Sequence, residues 1–412
     1  MFVSVMRGLI QNTAGPAAYS MKLIVIALSL QYNIASPIQV PQNSVRIFVA
    51  ELPPQFQSWS PEELWGFRGL GHAVDIKQSL WEANWHSVDK WWINQLNVSP
   101  LRTAEVNEAD VVFVPATIRY NQAHLMEELL SNITEILPLF REKPHVMVLD
   151  HPLVTWKSSH PELFERHKAA IQRFILVTIE SYVRDWDWDF RNSITTPYFG
   201  AVHWHRGRQW TATTSKDIVA GKTQFAVFSA KVRHYSVRHR LHKDCTQYGR
   251  GCMFINWDAA DNKAAQLAAR TFTSMTKAWY TLMPRGDFIT RNSFYEALCA
   301  GTIPVVVETD YFMHCAFSDV VDYRQFVTVL PEADFMHNST RNAVQVLYDM
   351  HNETRAAERI QQLWQVNHIF QYSLNPKHEL IRFDQMDQID GEDDAFTFTW
   401  KAILRRVQMV DQ

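Results

Sequence analysis

Apolar residues in this chain cluster in short runs rather than alternating with polar ones. SVRIFVAELP (44–53), EADVVFVPATI (108–118), PHVMVLDHP (144–152) and FILVTIES (174–181) each hold a β-branched stretch flanked by polar residues or proline. Such runs suit parallel strands covered on both faces. Between them the spacing turns helical. Over 79–96, Trp81, Trp85, Val88 and Trp92 form one stripe, read as a face packed on a sheet, and a second helix is predicted over 125–139. The pattern then repeats. TQFAVFSA (223–230), WYTLMP (279–284), TIPVVVE (302–308) and QFVTVLP (325–331) read as strands, with helices over 262–276, 293–300 and 340–365. Strands alternating with helices imply βαβ units and open parallel sheets.

At 412 residues the chain exceeds what one core usually serves. The expected architecture is α/β, with two Rossmann-like domains over 44–202 and 223–385 whose parallel sheets face a central cleft. The Trp- and Arg-rich stretch 203–222 is the expected linker, and 386–412 a tail or helix. Ligands are expected at the carboxyl ends of the strands.

A net charge of −3 leaves no excess cation for nucleic acid, yet permits a small phosphorylated ligand held by a local patch. Fifteen Trp, twenty-four Phe and thirteen Tyr are many. They mostly imply core packing, with flat faces suited to sugar rings as the second use. Seventeen His occur without HExxH or a Cys/His cluster at zinc spacing, and HWH (203–205) lacks a third ligand, so no metal is expected.

MKLIVIALSLQYNIAS (21–36) has one Lys, an apolar run from Leu23 to Leu30 and a small-residue end. The run is shorter than the roughly 20 residues of a membrane span. It suits a secretory signal within 1–36, cleaved near Ala35 or Ser36, with Met21 as an alternative start. If Met1 is used, the same run can serve as an uncleaved membrane anchor. Sequons at Asn97, Asn132, Asn338 and Asn352 agree with secretory entry. Cys245 and Cys252 are near enough to clip a loop, Cys299 reads as a core residue, and Cys315 fits either role.

PRGDFITRNSFYEALCAGTIPVVV (284–307) carries the sharpest signal. A strand ends at Pro284, the chain turns around Gly286, and a helix follows that stops at Gly301. Ser293 and Glu296 have capping-box spacing, with Thr290 as a rival cap. The helix mouth then aims free N–H groups at the cleft, an anion site flanked by Arg285 and Arg291, and Glu296 is placed to accept from two ribose hydroxyls. A second basic cluster follows strand 223–230. There Ser229 and Ala230 leave room for a ligand, and Lys231, Arg233 and Arg238 surround its charge. Two basic strand-end loops in one sheet converge on one cleft.

These segments resemble, in order, the motifs of the exostosin-like inverting glycosyltransferases (family 47), most closely the plant xyloglucan galactosyltransferase-like branch. The motifs are VRIFVAELPPQF (45–56), ADVVFVPATI (109–118), DWDWDFRNSITTPYFGAVHW (185–204), FAVFSAKVRHYSVRHRLHKDC (225–245) and the long 284–307 segment. The resemblance implies a GT-B fold, with a UDP-sugar in the second domain and an acceptor glycan in the first. Arg233, Arg238, Arg285, Gly286, Asp287, Thr290, Arg291 and Glu296 fall on its donor motifs. Asn292 stands where the family has a second arginine, Thr302 where it has cysteine, and Ser229 to Val232 replace a glycine-containing turn. DWDWD (185–189) reads as a structural loop, not as a metal-binding DxD. The resemblance also implies a Golgi lumen or membrane location, a cell-wall polysaccharide or other glycan acceptor, complexes with other glycosyltransferases, and no cofactor beyond the donor.

Inversion needs a general base for the acceptor hydroxyl and charge to hold the departing diphosphate. Asp150 and His151, closing the third strand, are the expected catalytic pair, with Glu180 the alternative. The reading from another class is a non-catalytic glycan-binding protein on a decayed transferase scaffold.

Overall fold

The computed structural model describes residues 43–57, 88–118, 122–149, 153–179, 193–198, 215–232, 236–258, 264–286, 289–308, 311–336, 341–373 and 376–410. Residues Asn43–Gln412 form a unit of their own. Its first sheet holds β1 (Ile47–Val49), β2 (Arg102–Thr103), β3 (Val111–Val114), β4 (His145–Val148), β5 (Phe174–Thr178) and β6 (Ser193–Thr195), in the order β2-β1-β3-β4-β5-β6. Its second sheet holds β7 (Gln224–Ala230), β8 (Cys252–Asn256), β9 (Ala278–Met283), β10 (Ile303–Val306) and β11 (Thr328–Val329), in the order β11-β10-β9-β7-β8. Every pairing in both sheets is parallel. Both sheets reverse direction at their first strand, which is the doubly wound plan.

The unbroken apolar runs are explained by burial on both faces. β3, β4 and β5 are buried at every position. Val111, Phe113, Val146 and Val177 face a core shared with helices Val88–Asn97 and Ala395–Val410. Their neighbours Val112, Val114, Met147 and Leu176 face helix Ala123–Ser131. In the second sheet Ala226, Phe228, Leu282 and Val305 face helices Ser236–Tyr248 and Glu353–Val366, whereas Val227, Met283 and Val306 join the same core as the first sheet.

Helix Ala395–Val410 closes that shared core. Phe396 and Trp400 lie 4.8 and 5.5 Å from the Trp92 ring. Thr399 Oγ1 is 2.8 Å from Thr196 Oγ1, which is also 2.6 Å from the Tyr372 hydroxyl. A reciprocal cap starts the helix: Asp394 N donates to Thr397 Oγ1, and Thr397 N donates back to Asp394 Oδ1. Lys401, fully buried, donates to Asp393 Oδ2 (2.8 Å) and to the Gln388 carbonyl (3.0 Å). Burial pushes the Asp393 carboxyl above its ordinary range, against the pull of the Lys401 ammonium.

Several expected elements are redrawn. The described part of the 79–96 stripe is helix Val88–Asn97, with Val88 and Trp92 fully buried; Trp81 and Trp85 lie outside the described residues. The 125–139 helix breaks at Asn132 into Ala123–Ser131 and Ile133–Ile136. The 340–365 helix is two, Ala343–Asp349 and Glu353–Val366, because Asn342 and Asn352 each cap a start of their own. Within the expected linker 203–222, Ser215–Ala220 is helical, and a Cβ at Gly301 would come within 3.0 Å of Ile218. Strands β2, β6 and β8 were not anticipated. β2 and β6 are too short to show a pattern, and β8 starts on a cysteine clipped to the preceding helix. That clip is the Cys245–Cys252 disulfide; Cys299 and Cys315 are buried and free. Among the described residues no helix is long and apolar enough to cross a membrane.

Lys222, just before β7, is a local misfit. Its Nζ donates to the Thr276 carbonyl (3.1 Å), and burial pulls its ammonium from 10.5 down to about 7. The unfolded chain keeps that proton up to pH 10.5, so the cost is full below pH 7 and disappears as pH rises between the two values. Lys222→Met is expected to raise the melting temperature at slightly acid pH and to flatten the alkaline rise. A pH series of thermal unfolding checks both.

Candidate functional site

In the second sheet β7 has β8 on one side and β9 on the other. The helix after β7 packs Val237 and Leu241 on one face of the sheet, and the helix after β9 packs Phe294 and Leu298 on the opposite face. Connections leaving to opposite faces open a crevice at the carboxyl ends of the two strands, where α/β sheets bind ligands. Phe228 is paired with Leu282, so Ser229 and Ala230 lie beside Met283 and Pro284 at the crevice floor.

Two arginines meet there. Arg238, buried in the first turn of its helix, donates from Nε to the Arg285 carbonyl and from Nη1 to the Lys231 carbonyl, both at 3.1 Å. It thereby ties the loop after β7 to the loop after β9. Arg291, half-buried, is the N-cap position of helix Asn292–Cys299; its Nη1 donates to the Pro284 carbonyl (3.2 Å) and its Nη2 to the Ser229 carbonyl (3.5 Å). Gly286 lies between them: a Cβ there would be 2.6 Å from Arg238 Nη2 and 3.7 Å from Arg291 Cδ. Burial, and then the like charge of Arg238, pull the Arg291 guanidinium down to about 10. Both remain cations at neutral pH. Two guanidiniums that converge on Gly286 offer an incoming anion charge-assisted partners.

The expected capping box is not formed. The helix starts at Asn292, so Ser293 is already its second residue and its hydroxyl points to Met283 Sδ (3.7 Å). Arg291 at the cap makes no side-chain bond to the helix N–H groups, so no side chain of its own caps that end against an incoming anion. Thr290 is buried and Glu296 half-buried one turn into the helix. Arg285 stands at the turn after β9. Its side chain is exposed, and its main chain is what is held, with N donating to Glu308 Oε1 at 3.3 Å. Arg233, Asp287, Asp150, His151, Glu180, the DWDWD stretch and HWH lie outside the described residues.

Three neighbours escaped the sequence reading. Trp257, one residue past β8, donates from its indole to Ser229 Oγ (2.7 Å), which also lies 3.0 Å from Thr271 Oγ1. Asp258 Oδ2 accepts from Val232 N at 3.3 Å, and Glu308, past the end of β10, holds the Arg285 turn. Their common signal is a polar residue directly after an apolar run; for Trp257 and Asp258 the run itself, β8, had been missed. Among the described residues no group of His, Cys, Asp or Glu is arranged to hold a metal ion.

A doubly wound sheet with two arginines at its switch point is the plan on which many α/β proteins hold phosphorylated ligands. The chain belongs to the exostosin GT47 family: the model of the Exostosin GT47 domain matches residues 41–345. It is therefore a glycosyltransferase of that family, and its two parallel sheets agree with the expected GT-B plan. No curated protein matches the sequence. Among solved structures, an alpha-glucosyltransferase in complex with UDP and a 13-mer DNA containing a HMU base is similar over 69% of this chain and 80% of its own, at 12% identity and a TM-score of 0.34. A likeness that slight carries no argument here.

Proposed function

We propose that this protein is an inverting glycosyltransferase that moves a sugar from a UDP-sugar to a glycan acceptor in the secretory pathway. The observation that carries the reading is the pairing of Arg238 and Arg291 around Gly286 at the mouth of β7 and β9. Placed there, the two guanidiniums hold the diphosphate before transfer and neutralise it as it departs. Glu296 and Glu308 are proposed to accept from the ribose hydroxyls. Asp150 and His151 are proposed for the acceptor proton, with Glu180 the alternative. An Asp150→Asn or His151→Ala protein with full turnover would remove that candidate.

The buried disulfide supports an oxidising compartment, and the sequons and N-terminal apolar run support entry to it. The proposed branch, xyloglucan galactosyltransferase-like, rests on the resemblance of the quoted motifs. A hydrolysis panel of UDP-galactose, UDP-arabinose, UDP-xylose and UDP-glucuronate with the purified protein tests donor choice. Calorimetric titration with UDP tests the reading as a whole, since a decayed scaffold that only binds glycans would give no heat.

Gly286 offers a finer probe. A methyl group at 2.6 Å from Arg238 Nη2 must push that buried guanidinium from its place, loosening its bonds to the Arg285 and Lys231 carbonyls. Gly286→Ala is expected to weaken UDP binding roughly ten- to hundredfold, because a displaced guanidinium no longer meets the phosphate. Thermal stability is expected to fall modestly, because the same guanidinium ties the two loops together. Titration and a melting curve on the same sample check both.

A further inference from the structure

The end of the second sheet away from the arginines carries an aromatic surface that the transferase reading does not use. Phe225 opens β7, and around it lie Tyr280 (5.3 Å between ring centroids), Tyr348 (5.2 Å), His351 (5.5 Å) and Tyr248 (6.0 Å). Trp279 adds a ring 5.5 Å from His351, and the Tyr280 hydroxyl is 3.0 Å from His351 Nδ1. Tyr348 is 51% and Met350 60% exposed, Phe225, Tyr248, Trp279 and His351 are half-buried, and Tyr280 is buried. Half-open rings beside an exposed tyrosine leave apolar edges that a neighbouring group can cover.

The next residue after His351 is Asn352, the acceptor of an Asn-Glu-Thr sequon. Its backbone is fixed at the start of helix Glu353–Val366, and its Oδ1 accepts from Arg355 N at 3.0 Å. That bond uses only the oxygen. An N-glycosidic link takes one of the two Nδ2 protons and keeps the amide carbonyl, so cap and glycan are compatible. Asn352 and Thr354 are both exposed. The other described sequons are less well placed: Asn132 Nδ2 donates to the Glu128 carbonyl, and Asn97 lines a cleft with Val49, Glu51 and Arg102.

We propose that Asn352 carries an N-linked glycan whose first N-acetylglucosamine units rest their C–H faces on the Phe225–Tyr348–His351 platform. The donor is a polyprenyl-pyrophosphate-linked oligosaccharide of the secretory pathway. Its anomeric C–O bond breaks, a bond from that carbon to Asn352 Nδ2 forms, Nδ2 loses a proton, and the pyrophosphate leaves with the electron pair. The proposal needs passage through that pathway but not the transferase reading.

The test uses the full chain made through the secretory route of an insect or mammalian cell. Denatured protein is treated with peptide N-glycosidase in heavy-oxygen water, and the labelled peptides are mapped by mass spectrometry. The Asn352 peptide is expected to carry the label in most molecules; an unlabelled one overturns the site. Thr354→Ala removes the sequon and leaves the Asn352 cap, which separates loss of glycan from loss of cap. It is expected to raise binding of 8-anilinonaphthalene sulfonate about twofold, by baring the patch. The rise is expected to vanish when Tyr348→Ser and Met350→Ser are added. A labelled peptide with unchanged dye binding in Thr354→Ala overturns the seat on the platform, as does a dimer that hides the same face. UDP binding is expected to be equal in all these proteins, so failure here and failure of the transferase reading are read separately.

Discussion

Arg291→Met is expected to lose UDP binding by about a hundredfold or more while the ligand-free protein melts no lower than the parent. The first half follows from removing one charge-assisted partner of the phosphate. The second follows from where the guanidinium sits. Burial and the neighbouring Arg238 bring it down to about 10, so the fold holds a cation it disfavours. That cost is complete at neutral pH and eases only as pH climbs above about 10, where the folded protein binds fewer protons than the unfolded one. An apolar side chain removes it at neutral pH. In the parent a bound anion does the same, so UDP is expected to raise the parent's melting temperature and leave the variant's unmoved. Paired melting curves with and without UDP decide. A variant that still gains stability from UDP would place the diphosphate elsewhere.

The largest loss of stability is expected at the other buried charge. Asp393→Ala leaves Lys401 as an uncompensated ammonium with no exposed surface, a change that typically costs about 3–5 kcal/mol. The intact pair is a different matter. Burial already pushes the Asp393 carboxyl upward, a sign that desolvation offsets most of the attraction. Asp393→Leu combined with Lys401→Met is therefore expected to recover most of the loss. Chemical denaturation of the three proteins checks the order. A double variant as unstable as the single one would mean that the pair itself, and not the stranded charge, holds the helix.

The sequence disclosed the repeating strands because parallel strands buried on both faces need an unbroken apolar run, as FILV in β5 and IPVV in β10 have. β2, with two residues, and β6, reading Ser-Ile-Thr, offer no run to detect. The cationic site was legible for the same reason: strand ends in one parallel sheet converge, so bases after two neighbouring strands must meet. Which of them turn inward was not. Arg285 and Arg291 look alike in spacing, yet one side chain is exposed and the other folds back over Pro284. Helix Asn292–Cys299 begins one residue before the serine whose spacing suggested a cap. Contacts such as Thr196 with Tyr372 and Thr399 join positions far apart along the chain, and no local pattern announces them.

The packing of Phe396 and Trp400 on Trp92 bears on the order in which this protein can mature. A ribosome releases Trp92 and the surrounding strands roughly three hundred residues before their lid, a delay of about 15–60 seconds at common elongation rates. Throughout that interval one flank of the early half remains wet and adhesive. The shared core therefore cannot be sealed until the chain through helix Ala395–Val410 has been made.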